Sequence, residues 1–366
     1  MTAPLRLALV GLGTWAQAGH LPVYRGARMA SLVRIVGLCS RDQEKANRWA
    51  SEIDGTAGFG DFTTMLRETQ PDIVAVTTRD DKHTRYVVEA LKMGCHVLVE
   101  KPVATSLEEC NTIFRAASSA NRRVVTLYHK RADPLWAEAA QQVRSGQYGK
   151  LQMGWSVIQN PLSVPSGEYF TSDMALHSDP NWFLGTHFYD LLRFITGLNP
   201  LAVSAHQYRG ALSALGSDTA DAFKADFIFS GGASISVMLS WNLPEYSPSL
   251  TKQAMTLHFQ QGELDLDGTR RGFVQHAPDK YSYINPYFLR NTPAGMVGYG
   301  AKYLEEAIIS LQDETTPLTV ELAGHEDAWW ASAMAVAVEG AVLEGGSVSV
   351  EQPSAALFGS DMTRGA

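Results

Sequence analysis

The sequence predicts two parts with different grammar: a doubly wound α/β domain over residues 1–128 and an α+β domain with a mainly antiparallel sheet over residues 129–366. Three observations carry this. Short apolar runs alternate with helical patterns through the first part, a glycine-rich turn stands between the first strand and its helix, and beyond Leu151 β-rich runs follow one another with few helices between them. At 366 residues the chain also exceeds the roughly 250–300 at which a single core stops growing, so two cores are expected.

Leu5 to Val10 is a short apolar strand, and Gly11-Leu12-Gly13-Thr14-Trp15-Ala16 follows it at once. This is G-x-G-x-x-A in the context that the dinucleotide fingerprint requires. Gly11 permits the tight turn, Gly13 lets a pyrophosphate approach the backbone, and Ala16 is small enough for close helix packing. Thr14 and Trp15 complete the turn, where the N-terminus of the helix offers N–H groups and a positive dipole end to phosphate.

The second strand, Val33 to Cys39, runs into Ser40-Arg41-Asp42. A site for the unphosphorylated cofactor usually carries an acidic residue at this strand tip, for the ribose hydroxyls. A hydroxyl and a guanidinium suit a 2′-phosphate instead, so NADP is expected in preference to NAD. The alternative is that Asp42 takes the ribose and Arg41 is merely solvated.

Helices are expected over Glu44–Ser51 and Phe62–Glu68, then a buried strand over Asp72–Thr77. The polar loop from Thr77 and Thr78 to His83 opens the next helix, Tyr86–Met93, and lies at the sheet edge where it could touch the nicotinamide side of a cofactor. His83 reads either as a capping residue or as a contact. The strand Val97–Val99 ends at Glu100-Lys101-Pro102, because Pro102 cannot donate to a ladder and holds the preceding residue extended. Lys101 thus stands at the carboxyl edge of the sheet, where ligands bind in such folds; it is either a surface charge or a reacting group. Ser106 and Glu109 form a capping box for a helix to Ala117, and Val124–Tyr128 is a further strand.

In the second part, Pro134–Ser145 is amphipathic, and strands are expected over Leu151–Gln159, Leu201–Gln207, Ala222–Phe229, Ala233–Trp241, Ala254–Phe259 and Gly262–Leu266. Ser230-Gly231-Gly232 joins two of them as a hairpin. A helix over Trp182–Thr196, stopped by Gly197, carries His187, with Phe183 four residues before it and Asp190 three after, positions that share a face. A histidine of ordinary pKa is a natural acid or base for a hydroxyl, although a lone helical histidine is also commonly structural. The last helix, Gly324–Leu343, has a small-residue face and is expected to pack back on the first domain.

Composition narrows the partners. A net charge of −8, from 30 Lys and Arg against 38 Asp and Glu, argues against nucleic acid. Three cysteines, Cys39, Cys95 and Cys110, show no metal-like spacing and point to a reducing compartment without a resident metal. No secretory signal and no apolar run of about 20 residues stands out, so a cytoplasmic protein without a membrane partner is expected.

Three segments carry a family likeness: Gly11 to Ala16 with His20 beyond, His96 to Pro102, and Gly185-Thr186-His187-Phe188-Tyr189-Asp190-Leu191-Leu192-Arg193. Through them the chain resembles, over nearly its whole length, the Gfo/Idh/MocA family of glucose-fructose oxidoreductase, inositol dehydrogenase and rhizopine catabolism proteins. The resemblance implies a Rossmann domain followed by an α+β domain whose open, mainly antiparallel sheet serves oligomer contacts, as a dimer or tetramer. It implies hydride transfer to or from sugars, cyclitols or related polyols, with Lys101 and His187 as the catalytic pair. Glu100 and Lys101 are expected to join the cofactor residues named above; Tyr128-His129-Lys130-Arg131 and the polar loop Asn160–His177 with Asp173 are expected as substrate contacts, and Trp182 and Phe183 read either as an apolar wall for a sugar ring or as core. One departure stands out: the aspartate of the family pattern four residues before the histidine is Phe183 here, with Asp173, Asp179 and Asp190 as candidates to replace it. A second reading stays open, a cofactor-binding sensor that keeps the fold without turnover.

Overall fold

The computed structural model describes residues 3–167, 174–293, 295–354 and 357–358. Two compact units result: Met1–Ala132, Phe288–Trp329 and Ser354–Ala366 form the first, Asp133–Tyr287 and Trp330–Pro353 the second.

Unit one opens with β1 (Leu5–Val10), then a π-helical turn at Ala16–His20 continued as α1 (Leu21–Tyr24). β2 (Val33–Cys39), α2 (Gln43–Ser51), β3 (Ala57–Phe59), α3 (Phe62–Thr69), β4 (Ile73–Val76), α4 (His83–Lys92), β5 (His96–Val99), α5 (Leu107–Ala120) and β6 (Val124–Thr126) follow in strict alternation. The strands pair in parallel in the order β3-β2-β1-β4-β5-β6. Helices cover both faces, which is why β4 and β5 read as unbroken apolar runs and why Leu7, Leu9, Ile73, Ala75 and Leu98 have no exposed surface. Asp42, Asp61 and Ser106 each cap a helix by accepting from the N–H three residues on. The strand order reverses between β1 and β4, so the ends carrying Gly11 and Thr77 flank the crevice at the switch point.

Unit two begins with α6 (Pro134–Arg144), β7 (Leu151–Pro161) and a π turn at Asn181–Gly185 that leads into α7 (Thr186–Thr196). Strands β8 (Pro200–Tyr208), β9 (Ala222–Phe229), β10 (Ser234–Leu243), β11 (Lys252–Phe259) and β12 (Gly262–Asp267) come next, then a small hairpin of β13 (Phe273–Ala277) and β14 (Lys280–Ile284). The chain returns to unit one with β15 (Arg290–Thr292), β16 (Gly295–Val297) and α8 (Tyr299–Gln312). The long helix α9 (His325–Glu344) gives its first turn, to Trp329, to unit one and the rest to unit two, and β17 (Ser347–Ser349) closes the large sheet.

That sheet has the order β12-β11-β7-β10-β9-β8-β17, with β7 and β10 parallel and every other pair antiparallel. Its inner face, with Ile235, Val237, Ala225 and Phe227 fully buried, meets α7 through Tyr189, whose ring lies 5.5 Å from that of Phe227. The other face leaves Met153, Trp155, Ile228 and Met238 exposed. The elements absent from the expectations are β3, the two small hairpins, β17 and α8. Strands of three to five residues give little period to read, and α8 is buried except for a narrow stripe at Lys302, Glu305, Ile309 and Gln312, too thin to stand out as the polar face of an amphipathic helix.

Candidate active site

The fingerprint turn is built against the end of β4. Gly11 sits at φ +98°, and a Cβ there would stand 2.7 Å from the Thr77 carbonyl carbon and oxygen, so only glycine fits. Thr77 holds the turn in place: its Oγ1 donates to the Gly11 oxygen at 2.6 Å, and its N–H to the Val10 oxygen at 2.9 Å. A Cβ on Gly13 would meet nothing within 4 Å, which leaves the backbone open at the point where a pyrophosphate would approach. Ala16 is fully buried under the following turn.

At the tip of β2, Ser40 and Arg41 stand beside Asp42, whose carboxylate accepts from Lys45 N at 2.9 Å as the cap of α2. Ser40 Oγ accepts from the Asp42 N–H at 3.2 Å, and Arg41 is exposed. These residues fit a dinucleotide: an open glycine backbone at a helix start, and a hydroxyl with a guanidinium at the strand tip.

The carboxylate of Glu100 is the hub beneath this crevice. Trp15 Nε1 and His20 Nε2 both reach its Oε1 at 2.8 Å. In an α-helix, side chains five apart diverge by about 140°; the π turn at Ala16–His20 brings them onto one side, because its hydrogen bonds join residues five apart. Burial would raise the pKa of Glu100, but the His20 hydrogen bond, aided by the charges of His20, His129 and Lys101, holds it down at about 2. Trp15 is stacked on Phe288 at 5.8 Å and 4°, and His129 lies 5.2 Å from the same phenylalanine. Burial pushes His129 down to about 3, with neighbouring Lys130 acting the same way, so its ring is neutral near pH 7.

Lys101 follows Glu100 at a cis Lys101–Pro102 peptide and is 7% exposed. Burial lowers its pKa, and the negative charges of Asp80 and Glu100 oppose that shift. The corner is clasped by His83, which is fully buried: its Nδ1 lies 2.7 Å from the Pro102 oxygen and its Nε2 3.1 Å from the Thr78 oxygen. Thr78 remains half-buried at the edge of the crevice.

In unit two, His187 and Phe183 are the two partly exposed positions between Asn181 and Asp190; every other residue of that stretch is buried. Phe183 leans on Trp241 at 6.1 Å. Asp190 lies on the buried side at 1% exposure, and Asp179 accepts from Trp182 N at 2.9 Å as a cap. Trp182 Nε1 donates to Glu339 of α9 at 2.6 Å, and Asn181 Nδ2 donates to the Ala335 oxygen at 2.9 Å, so α9 braces the segment that carries His187. Burial raises the pKa of Glu339.

Several expected substrate contacts are buried side chains. Arg131 is buried, with its guanidinium 3.1 Å from Asp327, and Tyr128 is buried beside it. Trp182 is a buried brace rather than an open wall. Asp173, and part of the loop Asn160–His177, lie outside the described residues. Conversely, Phe288 was not among the expected site residues, while His129 belonged to the expected run Tyr128-His129-Lys130-Arg131 and Asp80 to the polar loop before His83. His129 was legible only as part of a polar run, while Phe288 meets Trp15 from 273 positions away, a pairing that no local pattern signals.

Family models match both parts of the chain. Residues 5–129 match the model described as oxidoreductase family, NAD-binding Rossmann fold, and residues 136–265 match the GFO/IDH/MocA C-terminal domain. D-glucoside 3-dehydrogenase of Escherichia coli (strain K12) is 25% identical over 209 residues, 57% of this chain and 59% of that protein. The chain thus spans little more than half the length of that relative. Inositol 2-dehydrogenase 1 of Saccharopolyspora erythraea is 23% identical over 340 residues, 87% of this chain and 97% of its own. Among solved structures, myo-inositol 2-dehydrogenase of Lactobacillus plantarum superposes with a TM-score of 0.77 at 15% identity, covering 95% of this chain and 100% of the other. The WlbA dehydrogenase of Bordetella pertussis, in complex with NADH and UDP-GlcNAcA, gives 0.77 at 17%, covering 96% and 100%. At these identities the structural likeness is one of fold. Among the described residues no helix is long and apolar enough to cross a membrane.

Proposed function

We propose that this chain, which belongs to the Gfo/Idh/MocA family of oxidoreductases, transfers a hydride between a nicotinamide cofactor and a hydroxyl-bearing carbon of a sugar, cyclitol or related polyol. The observation that carries the reading is Lys101, a buried ammonium at the carboxyl edge of a parallel sheet whose fingerprint turn is open at Gly13. The names of the relatives, dehydrogenases of a glucoside and of inositol, support the substrate class.

When bound, the nicotinamide supplies the hydride acceptor or donor. In the oxidative direction His187 takes the proton of the substrate hydroxyl, and the ammonium of Lys101 stabilises the oxygen as it gains charge. General base help contributes roughly 10²- to 10⁴-fold and one well-placed donor about 10²- to 10³-fold. Phe183 lines the substrate side. Tyr128 and Arg131 support the site from within, since both are buried.

NADP is the preferred cofactor in this reading, with NAD as the poorer one. Asp42 is engaged as a helix cap, which leaves Ser40 and Arg41 to meet the 2′ position. The outer face of the large sheet, with Met153, Trp155, Ile228 and Met238 exposed, is the surface for a second copy of the chain, and light scattering coupled to gel filtration tests that.

The decisive experiment is absorbance of the reduced nicotinamide when the purified protein meets NADP or NADPH with a panel of aldoses, inositols and keto sugars. Lys101→Ala and His187→Ala are each expected to lose at least about a hundredfold in turnover while still binding cofactor. Near-full activity in either variant overturns its role. Phe183, in place of the family's aspartate, favours the sensor as the second reading, and tight cofactor binding without turnover across the panel would select it.

A further inference from the structure

Both oxygens of Glu100 are engaged within the protein. Oε1 accepts from Trp15 Nε1 and faces His20 Nε2, each at 2.8 Å, and Oε2 accepts from the Lys101 N–H at 3.3 Å. His20 Nδ1 lies 3.1 Å from the Tyr24 hydroxyl, so both nitrogens of that ring are held. Glu100 N in turn donates to the Val76 oxygen at 3.0 Å, which fixes the residue to the end of β4. Since the strand order here is β1-β4-β5, the helix that starts after β1 reaches past β4 to the residue that follows β5.

The indole of Trp15 has a seat shaped for it. A Cβ on Gly19 would stand 2.8 Å from its six-membered ring, so glycine at that position leaves the room. Phe288 is stacked on the indole at 5.8 Å and 4°, and a Cβ on Gly300 would stand 2.9 Å from that phenyl ring. Trp15 itself lies in the fingerprint turn, between the open backbone of Gly13 and the buried Ala16. We propose that Glu100 is a positioning residue, which through Trp15 and His20 fixes the fingerprint turn to the strand end that carries Lys101, and so sets the distance between a bound nicotinamide and the ammonium. Glu100 then touches neither cofactor nor substrate. Its reach matters more than its charge, because donors five residues apart meet at one oxygen and a shorter acid would not span to both. The part that concerns Lys101 rests on the reading of that residue as a catalytic group; the part that concerns the turn does not.

The test compares Glu100→Gln, Glu100→Asp, Trp15→Phe and the double variant Trp15→Phe with Glu100→Asp. Glutamine keeps the length and an oxygen that can accept from both donors, whereas aspartate keeps the charge and withdraws its oxygens by one methylene. Calorimetric titration is expected to show NADP weakened by less than about threefold in Glu100→Gln and by at least about tenfold in Glu100→Asp, the loss of a charge-assisted hydrogen bond. Trp15→Phe keeps a ring for Phe288 and removes the N–H, so it should weaken NADP about tenfold, and adding Glu100→Asp should cost less than about threefold more. At saturating NADP the kcat of Glu100→Asp should fall about 10²-fold, the effect of a displacement of about 1 Å.

Thermal midpoints separate positioning from a general loss of fold. Glu100→Gln gives up a buried charge and should melt below the parent, yet bind NADP better than Glu100→Asp does. Should Glu100→Asp fail to fold, Gly19→Ala displaces the same indole with Glu100 intact and is expected to weaken NADP at least about fivefold. Equal NADP losses in Glu100→Gln and Glu100→Asp, additive losses in the double variant, or parental affinity in Gly19→Ala overturn the assignment. An unchanged kcat in Glu100→Asp overturns the link to Lys101. Full activity of Lys101→Ala instead overturns the catalytic reading, and the NADP titrations then still decide whether Glu100 positions the turn.

Discussion

His83 Nδ1 lies 2.7 Å from the carbonyl oxygen of Pro102, and the opposite nitrogen of the same ring reaches Thr78. One fully buried imidazole therefore joins the loop after β4 to the corner that carries Lys101. A neutral ring donates to one of these two oxygens, so His83→Ala would remove one buried donor and open a cavity beside the Pro102 carbonyl. We expect a loss of about 2–4 kcal/mol in denaturant unfolding, since an unmet buried polar group costs about 1–3 kcal/mol. Turnover should fall further than cofactor affinity, and equal losses in both would assign His83 to binding alone.

The two glycines of the fingerprint should respond differently. Gly11→Ala meets the Thr77 backbone at 2.7 Å in a positive-φ conformation, so we expect destabilisation of at least about 1–3 kcal/mol together with loss of cofactor binding. Gly13→Ala has open space around its new methyl and should leave the thermal midpoint nearly unchanged while weakening NADP binding at least about tenfold. Calorimetric titration beside thermal melting separates the two cases.

Cofactor choice should turn on the tip of β2. Arg41→Ala is expected to lower kcat/KM for NADP by about 10- to 100-fold, the worth of a charge-assisted hydrogen bond, with little change for NAD. Ser40→Asp should shift preference toward NAD. A parent enzyme with equal or better efficiency on NAD would remove the basis for this assignment.

Acid should weaken unit one through two groups whose folded pKa values are both depressed. Glu100, held at about 2, contributes stability that is full above the unfolded carboxyl range and is lost as pH falls from about 5 toward 2. Its increment is on the order of 3 kcal/mol. His129, at about 3, adds a loss that begins near pH 6.5, where the unfolded imidazole starts to bind its proton. Urea midpoints for Glu100→Gln should thus differ from the parent most at neutral pH and converge with it near pH 2–3. His129→Phe should flatten the decline between about pH 6.5 and 4. A pH-independent difference for either variant would contradict the linkage.

Much of the site could be read from local sequence because its chemistry sits where local rules operate. The fingerprint lies directly after a strand, β5 ends at Val99 just before Glu100-Lys101-Pro102, and Ser106 caps its helix by accepting from the N–H three residues on. Those relations need only neighbours in the chain. Phe183, in the π turn, and His187, on α7, are both partly exposed, at positions four apart that helical spacing puts on one face.

What local spacing could not supply were the pairings that close the site. Trp15 and His20 converge on Glu100 only because a π turn replaces the α-helical register there, and Phe288 reaches Trp15 across most of the chain. The burial of Arg131 against Asp327 and the bond of Trp182 to Glu339 of α9 are likewise long-range pairings that local spacing does not show.

By itself the amino-acid sequence determined the two architectures, the nucleotide turn and the presence of a lysine at a strand end, because strand burial, glycine turns and proline stops are properties of adjacent residues. Only the tertiary structure decided the company of that lysine. Glu100 precedes it, held by Trp15 and His20, and the His83 ring clasps the Pro102 carbonyl after it; these approaches depend on parallel strands brought together by crossovers, which no short stretch of sequence encodes.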